Sequence, residues 1–311
     1  MSDIFKQLSD SMAEAVQNIS PSLVRVEGRR RQAATGIVWS SDLIVTAHHV
    51  VEQDEGIEIV LHDGSRHAAT LVGRDPQNDL AALRVAGANL TPAKFGAAEG
   101  LQVGHLVLAL GRPGAQVQAT LGVVSALVPG VETSSDSRKG KGKRGRSEGR
   151  ALLDGYVQTD VVMYPGFSGG PLLGGDGAVY GLNTSGFGSG VSITVPVSTI
   201  RTTMTVLLAH GKMRQGYLGV GVQPVRLPDA VGTALGQETG LLVMSVEKGS
   251  PAEQAKMFVG DIIVALDGNT VTHLDELMSM LIGDRVGKAV SASIVRGGER
   301  RDMSVTIGER Q

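Results

Sequence analysis

The sequence predicts an all-β molecule built from two six-stranded barrels, and three observations carry that expectation. Between Leu23 and Val195 the chain is a succession of short β-branched runs divided by Gly, Asp and Asn, the pattern of strands joined by turns. The 311 residues include 43 glycines and only 3% aromatics, so turns are many and side chains small. The runs also fall into two sets of six, each sufficient for one barrel.

Composition narrows the rest. A chain of 311 residues can hold two or three domains, and 41% hydrophobic with 19% charged residues is ordinary for a soluble globular protein. A net charge of −2 gives no global pull toward nucleic acid or membrane. Absence of cysteine excludes disulfides, thiolate metal sites and cysteine nucleophiles, and no cofactor or metal is called for. The first residues, Met1 to Lys6, lack the features of a secretory signal, and no window approaches the roughly 18 apolar residues of a membrane span. The expected location is therefore cytoplasmic, or exported if the chain is a mature form.

Taken in order, Ile4, Leu8, Met12, Ala15, Val16 and Ile19 lie at helical spacing and Pro21 stops the run, which predicts an amphipathic helix over residues 1–19. The first six strands are expected at Val24–Val26, Thr35–Trp39, Leu43–Thr46, Ile57–Leu61, Thr70–Gly73 and Ala81–Val85. The second six are expected at Leu106–Leu110, Gln116–Leu127, Tyr156–Thr159, Pro171–Leu173, Ala178–Asn183 and Ser192–Val195. Between the second and third of these, Val131 to Gly155 holds seven Lys and Arg among Gly and Ser, from Arg138 to Arg150. So few apolar groups cannot offset the ordering entropy, and disorder is expected over 131–155. Neither this segment nor Arg29-Arg30-Arg31 interleaves aromatics, so no specific nucleic-acid binding is expected; contact of the basic loop with a polyanion is the alternative to a plain solvated loop. Ile200, Met204, Leu207 and Leu208 stripe a helix between Pro196 and Arg214 that leads toward a last domain.

The chemistry centres on Tyr164-Pro165-Gly166-Phe167-Ser168-Gly169-Gly170. A serine flanked by glycines has unobstructed N–H groups, so a tight turn over Gly166, Phe167 and Ser168 can aim donors at the oxygen of a carbonyl that Ser168 attacks. A bland Gly/Pro surface turn is the competing reading of that stretch alone. A serine nucleophile needs a base and an orienting acid, and the histidine pair His48-His49 and the aspartates Asp63, Asp75 and Asp79 lie upstream. Asp79 opens the apolar run Leu80-Ala81-Ala82-Leu83, which carries its carboxylate to the edge of a core, whereas Asp75 precedes Pro76 in a turn and is expected to be solvated. The order His, Asp, Ser is that of the chymotrypsin arrangement.

Thr46-x-x-His49-Val50, Asp79-Leu80-Ala81 and Gly166-x-Ser168-Gly169-Gly170-Pro171-Leu172, with Gly122-Val123-Val124-Ser125 and Gln158-Thr159-Asp160 between them, resemble the HtrA/Deg serine proteases from about Ser20 to the end of the chain. The resemblance implies a chymotrypsin-like two-barrel protease domain over 20–205, a linker over 206–215 and an α+β PDZ domain over 216–311. Its spacing selects His49 over His48 as the base. It places the substrate pocket near Leu182, Asn183, Thr184 and Ser185, where no acid is visible, so cleavage after small or medium aliphatic residues is implied. Phe167 stands where relatives commonly carry Asn, which puts the subsite shape in question. Tyr217-Leu218-Gly219-Val220 matches the carboxylate-binding loop of a PDZ domain, and Lys256 stands where relatives end a short helix with glycine. The implied function is endopeptidase action on unfolded or damaged polypeptide, with a PDZ module that engages chain termini; the alternative is a proteolytically weak chaperone or peptide-binding protein. The resemblance also implies a homotrimer, with the N-terminal helix either making trimer contacts or capping its own barrel.

Overall fold

The computed structural model describes residues 2–29, 32–97, 100–129, 155–187, 192–213, 216–281 and 285–309. The expected disorder of 131–155 falls, apart from Gly155, outside the described residues, as do Arg30 and Arg31 of the shorter basic run. Contacts divide the chain into two compact units that meet in sequence at Lys212 and Met213.

The first unit opens with α1 (Ser2–Ile19), which Ser20-Pro21-Ser22 ends in a single tight turn. Ile19 is buried, Met12, Ala15 and Val16 are half-buried, and Ile4, Phe5 and Leu8 stand exposed, so only the later half of the apolar face is covered. The strands β1 (Leu23–Glu27), β2 (Ala34–Val38), β3 (Leu43–Ala47), β4 (Ile57–Val60), β5 (Arg66–Asp75) and β6 (Leu80–Val85) close an antiparallel barrel in the order β1-β2-β3-β6-β5-β4. Leu23, Ile37, Ile44, Ile59, Leu80 and Leu83 fill it. A second barrel is made by β7 (Leu106–Gly111), β8 (Gln118–Pro129), β9 (Gly155–Thr159), β10 (Pro171–Leu173), β11 (Val179–Thr184) and β12 (Ser192–Pro196), in the order β10-β11-β12-β9-β8-β7. Its core includes Val107, Ala109, Val124, Val157, Phe167 and Leu172.

Helix α2 (Val197–His210) follows and ends on Gly211 at φ 72°, the left-handed cap that glycine adopts without a Cβ clash. It lies so close to β5 that a Cβ on Gly73 would sit 2.4 Å from the Gly211 carbonyl oxygen. Val206 and Leu207 are buried, so residues 206–210, expected to open a linker, belong to the helix that packs on the barrels.

The second unit contains β13 (Gly216–Tyr217), β14 (Val220–Arg226), α3 (Asp229–Leu235), β15 (Thr239–Val246), α4 (Pro251–Gln254), β16 (Ile262–Leu266), β17 (Asn269–Thr270), α5 (Leu274–Met280), β18 (Ala289–Arg296), β19 (Glu299–Thr306) and β20 (Gly308–Glu309). The sheet runs β14-β15-β16-β18-β19 with β17 on β16, and β13 pairs with β20. Leu218, Leu241, Val243, Ile263, Leu277, Ile294 and Val305 belong to one core. Helix α3, which the sequence pattern did not single out, covers Leu227, Val264 and Val295 with Val231 and Leu235. No helix among the described residues is long and apolar enough to cross a membrane.

Candidate active site

Strand β3 delivers Thr46 and Ala47, and the single turn His48–Val50 then swings His49 toward the end of β5. The turn from β5 into β6 ends on Asp79 at φ 52°, a left-handed backbone that is uncommon outside glycine and several-fold enriched in Asp and Asn. The carbonyl and both carboxylate oxygens of Asp79 are engaged. Its backbone carbonyl accepts from His48 N–H at 3.0 Å, Oδ1 accepts from His49 N–H at 2.9 Å, and Oδ2 lies 2.7 Å from His49 Nδ1. The Thr184 hydroxyl, from β11 of the other barrel, donates to the same Oδ2. A carboxylate at Nδ1 fixes the proton there and leaves Nε2 with its lone pair free to act as a base. Gly186 permits this approach, since a Cβ there would stand 2.8 Å from Asp79 Oδ2.

Ser168 follows a turn whose backbone is set by glycines: Gly166 has φ 90° and Gly169 has φ 86°. A Cβ on Gly169 would lie 2.0 Å from the Thr35 carbonyl oxygen, and one on Gly166 2.5 Å from Pro113 Cβ. The Phe167 N–H donates to the Tyr164 carbonyl at 3.0 Å, so of the three expected oxyanion donors this one is occupied. The N–H groups of Gly166 and Ser168 are not taken up by another backbone carbonyl among the described residues. The Ser168 hydroxyl lies 3.0 Å from the Ser185 hydroxyl and, among the described residues, pairs with it and not with His49.

Several expectations are revised here. The Phe167 ring does not shape a subsite: it is buried in the second barrel, edge-on to Tyr164 at 5.7 Å, over Gly111, where a Cβ would meet the ring at 2.4 Å. Of the four residues assigned to the pocket, Leu182, Asn183 and Thr184 are buried. Asn183 donates to the Pro171 carbonyl at 2.8 Å and accepts from Thr194 at 2.7 Å, and of the four only Ser185 is exposed. Asp75 is not solvated but 1% exposed, accepting from Gln77 and Asn78 N–H, from the Asn78 amide and from the Thr203 hydroxyl on α2. His48 turns its Nδ1 into the interior without a partner among the described residues, and burial, with the Arg74 charge next, holds it below the usual histidine range.

In the second unit Tyr217, Leu218, Val220, Leu277, Met278 and Leu281 line a groove of about 150 Å³. Gly219, also in its lining, has φ 77°, and a Cβ there would meet Ser250 Cβ at 2.2 Å. The Leu218 side chain itself points into the core, and among the described residues the N–H groups of Leu218 and Gly219 are not taken up by another backbone carbonyl.

Residues 34–182 match the family described as a trypsin-like peptidase domain, and residues 216–307 match the PDZ domain family. The chain is 35% identical over 291 residues to the probable periplasmic serine endoprotease DegP-like of Chlamydia muridarum, covering 91% of this chain and 55% of that protein. The protein of the same description from Pseudomonas fulva is 35% identical, covering 90% and 57%. The chain thus spans about half the length of the curated relatives it matches. Among solved structures, the HtrA-type protease AlgW with tripeptide superposes with a TM-score of 0.75 at 27% identity, covering 96% of this chain and 97% of that one. The serine endoprotease from Yersinia pestis gives 0.72 at 26% identity, covering 96% and 98%. The relatives are named periplasmic, which runs against the expected cytoplasmic location. With two closed six-stranded barrels carrying His49, Asp79 and Ser168 in that order and a PDZ fold after them in sequence, the chain holds a trypsin-like peptidase domain and a PDZ domain, and it is similar to curated DegP-like serine endoproteases and to HtrA-type proteases of known structure.

Proposed function

We propose that the chain is a serine endopeptidase acting on unfolded or damaged polypeptide through an acyl-enzyme. The observation that carries this reading is the buried Asp79 carboxylate, held between the two barrels by Thr184 and presenting Oδ2 to His49 Nδ1 at 2.7 Å. In the reaction His49 Nε2 takes the proton of Ser168 as its oxygen attacks the scissile carbonyl, which requires the hydroxyl to turn from Ser185 toward His49. Charge on the carbonyl oxygen is met by the N–H groups of Gly166 and Ser168, and His49 then protonates the leaving amine. Water, activated by the same histidine, releases the acyl group. Ser185, exposed beside Ser168, bounds the subsite for the residue before the cut, and small or medium aliphatic residues suit a site without an acid there.

The Tyr217-to-Val220 loop is assigned to a peptide's terminal carboxylate, with the adjoining groove taking an apolar last side chain and an extended peptide along its edge. That the solved AlgW structures hold short peptides supports the assignment. Exposed Ile4, Phe5 and Leu8 on α1 support a homotrimer built on the N-terminal helix. The relatives' names favour the periplasm over the cytoplasm as its place of action. The chaperone alternative is not favoured, since the full His-Asp-Ser set is present. Covalent labelling of Ser168 by a fluorophosphonate together with casein hydrolysis tests the reading. Ser168→Ala should abolish labelling, lower kcat by roughly a millionfold and leave the thermal midpoint within about 2 °C. A wild type that neither labels nor cleaves casein refutes it.

A further inference from the structure

Thr35, on β2 of the first barrel, has 0% exposure, and a buried hydroxyl is costly unless it is hydrogen-bonded. Its partners lie around the serine turn of the second barrel. Its Oγ1 donates to the Gly166 carbonyl at 2.7 Å and accepts from the Arg112 N–H at 2.7 Å. Its N–H donates to the Ser168 carbonyl at 3.2 Å, and its own carbonyl accepts from the Thr46 hydroxyl at 2.7 Å. A hydroxyl has one hydrogen. With Arg112 N–H occupying a lone pair, that hydrogen is directed to Gly166. Arg112 cannot drift, because its buried guanidinium donates to the carbonyls of Leu23, His62 and Ala115 at 3.2, 3.0 and 3.0 Å.

Resting on the peptidase reading of Ser168, we propose that Thr35 is a positioning residue that holds the oxyanion turn in its working orientation. Glycine at 166 provides the φ of 90° the turn requires, but it also leaves the peptide free to rotate to other conformations. The Gly166–Phe167 peptide is pinned at both edges, its carbonyl by Thr35 and its N–H by Tyr164. The Ser168–Gly169 peptide is pinned in the same way, its carbonyl by the Thr35 N–H and its N–H by the Asn183 carbonyl at 2.9 Å. The two donors left over, Gly166 N–H and Ser168 N–H, flank the first pinned plane and precede the second. Thr35 therefore supplies from one barrel the rigidity that the glycine turn of the other lacks, and preorganised donors are what stabilise an oxyanion.

The test compares Thr35→Val, Thr35→Ala and Thr35→Ser with the wild type in the full chain, reading kcat and KM on a peptide and affinity for a peptide boronate. The boronate becomes a tetrahedral anion on Ser168 as the serine proton passes to His49, so it reports the oxyanion turn. Thr35→Val should lose about 30-fold in kcat with KM within about threefold, less than the loss of a whole donor, and boronate affinity should fall in parallel. Thr35→Ser, which keeps the hydroxyl, should stay within about threefold of wild type in all three. A folded Thr35→Val with wild-type kcat and boronate affinity overturns the inference, as does a Thr35→Ser as impaired as the valine variant. Should Thr35→Val not fold, Thr35→Ala takes its place; failure of both to fold beside a normal Thr35→Ser means that the hydroxyl serves folding, and also overturns it. A wild type inert to fluorophosphonate sinks the peptidase reading itself, a result distinct from the others.

Discussion

His48 and His49 are adjacent in sequence and opposite in circumstance. His49 has its Nδ1 on the Asp79 carboxylate, whereas His48 donates its backbone N–H to that aspartate's carbonyl and buries a ring nitrogen that has no partner among the described residues. His49→Ala should therefore lose roughly as much activity as Ser168→Ala, because the three groups act as a unit. His48→Ala should keep activity within a few-fold, its cost appearing as lowered stability from the emptied space. Steady-state proteolysis beside a thermal melt reads both, and an inactive His48→Ala with an active His49→Ala would reverse the assignment. Asp79 could be chosen from the sequence because it opens an apolar run, but its left-handed backbone and its bond to Thr184 could not be seen there, since the latter joins residues 105 apart. Asp75 was misread for the same reason. A residue before proline looks like an exposed turn, and its decisive partner, the Thr203 hydroxyl, comes from a helix 128 residues later. Thr35 gave no signal at all: one threonine in a β-branched run is indistinguishable from its neighbours until the opposite barrel is in place.

Helix α4 shows a local rule broken in a visible place. Ser250 caps it by accepting from Glu253 N–H at 3.2 Å, and Pro251 opens it, both favourable. Just past its end, Lys256 takes φ 62°, where a Cβ is strained, while its carbonyl accepts from Arg296 at 2.9 Å. The same guanidinium grips Asp261 through two contacts of 2.7 Å, which helps keep the strained residue in place. Lys256→Gly should stabilise the second unit by about 0.5–1 kcal/mol, the relief of strain exceeding the extra chain entropy of glycine. A higher urea midpoint with an unchanged slope is the expected result, and a lower midpoint would show that the lysine side chain contributes packing. Elements with strong periodicity were legible throughout, including all twelve barrel strands, though β5 runs from Arg66 where the pattern began at Thr70. Its first residues, Arg66-His67-Ala68-Ala69, are two polar side chains followed by two alanines, with no β-branched residue and no apolar alternation to mark them. Helix α3 was missed because seven residues with no fully buried side chain carry too little pattern.

At the scale of the molecule, two units have separate cores, and the sequence showed their order because each carries its own glycine-bearing motif. If the loop at Tyr217 to Val220 receives a carboxylate, a peptide with a free, apolar C-terminus should bind at least tenfold, about 1.4 kcal/mol, more tightly than its amidated twin. Calorimetry of the matched pair decides this, and equal affinities would remove the carboxylate from the account. One further property follows from the register of β8 and β9, in which Pro129 faces Gly155 directly. The pairing of β8 with β9 among the described residues thus reaches the last residue before 130–154 and the first one after them. Closing a longer or shorter loop there changes stability by only about 0.6 kcal/mol per doubling of length. That rung is thus a port at which inserts of different length should be exchangeable at small cost while the barrel on which Ser168 stands stays shut.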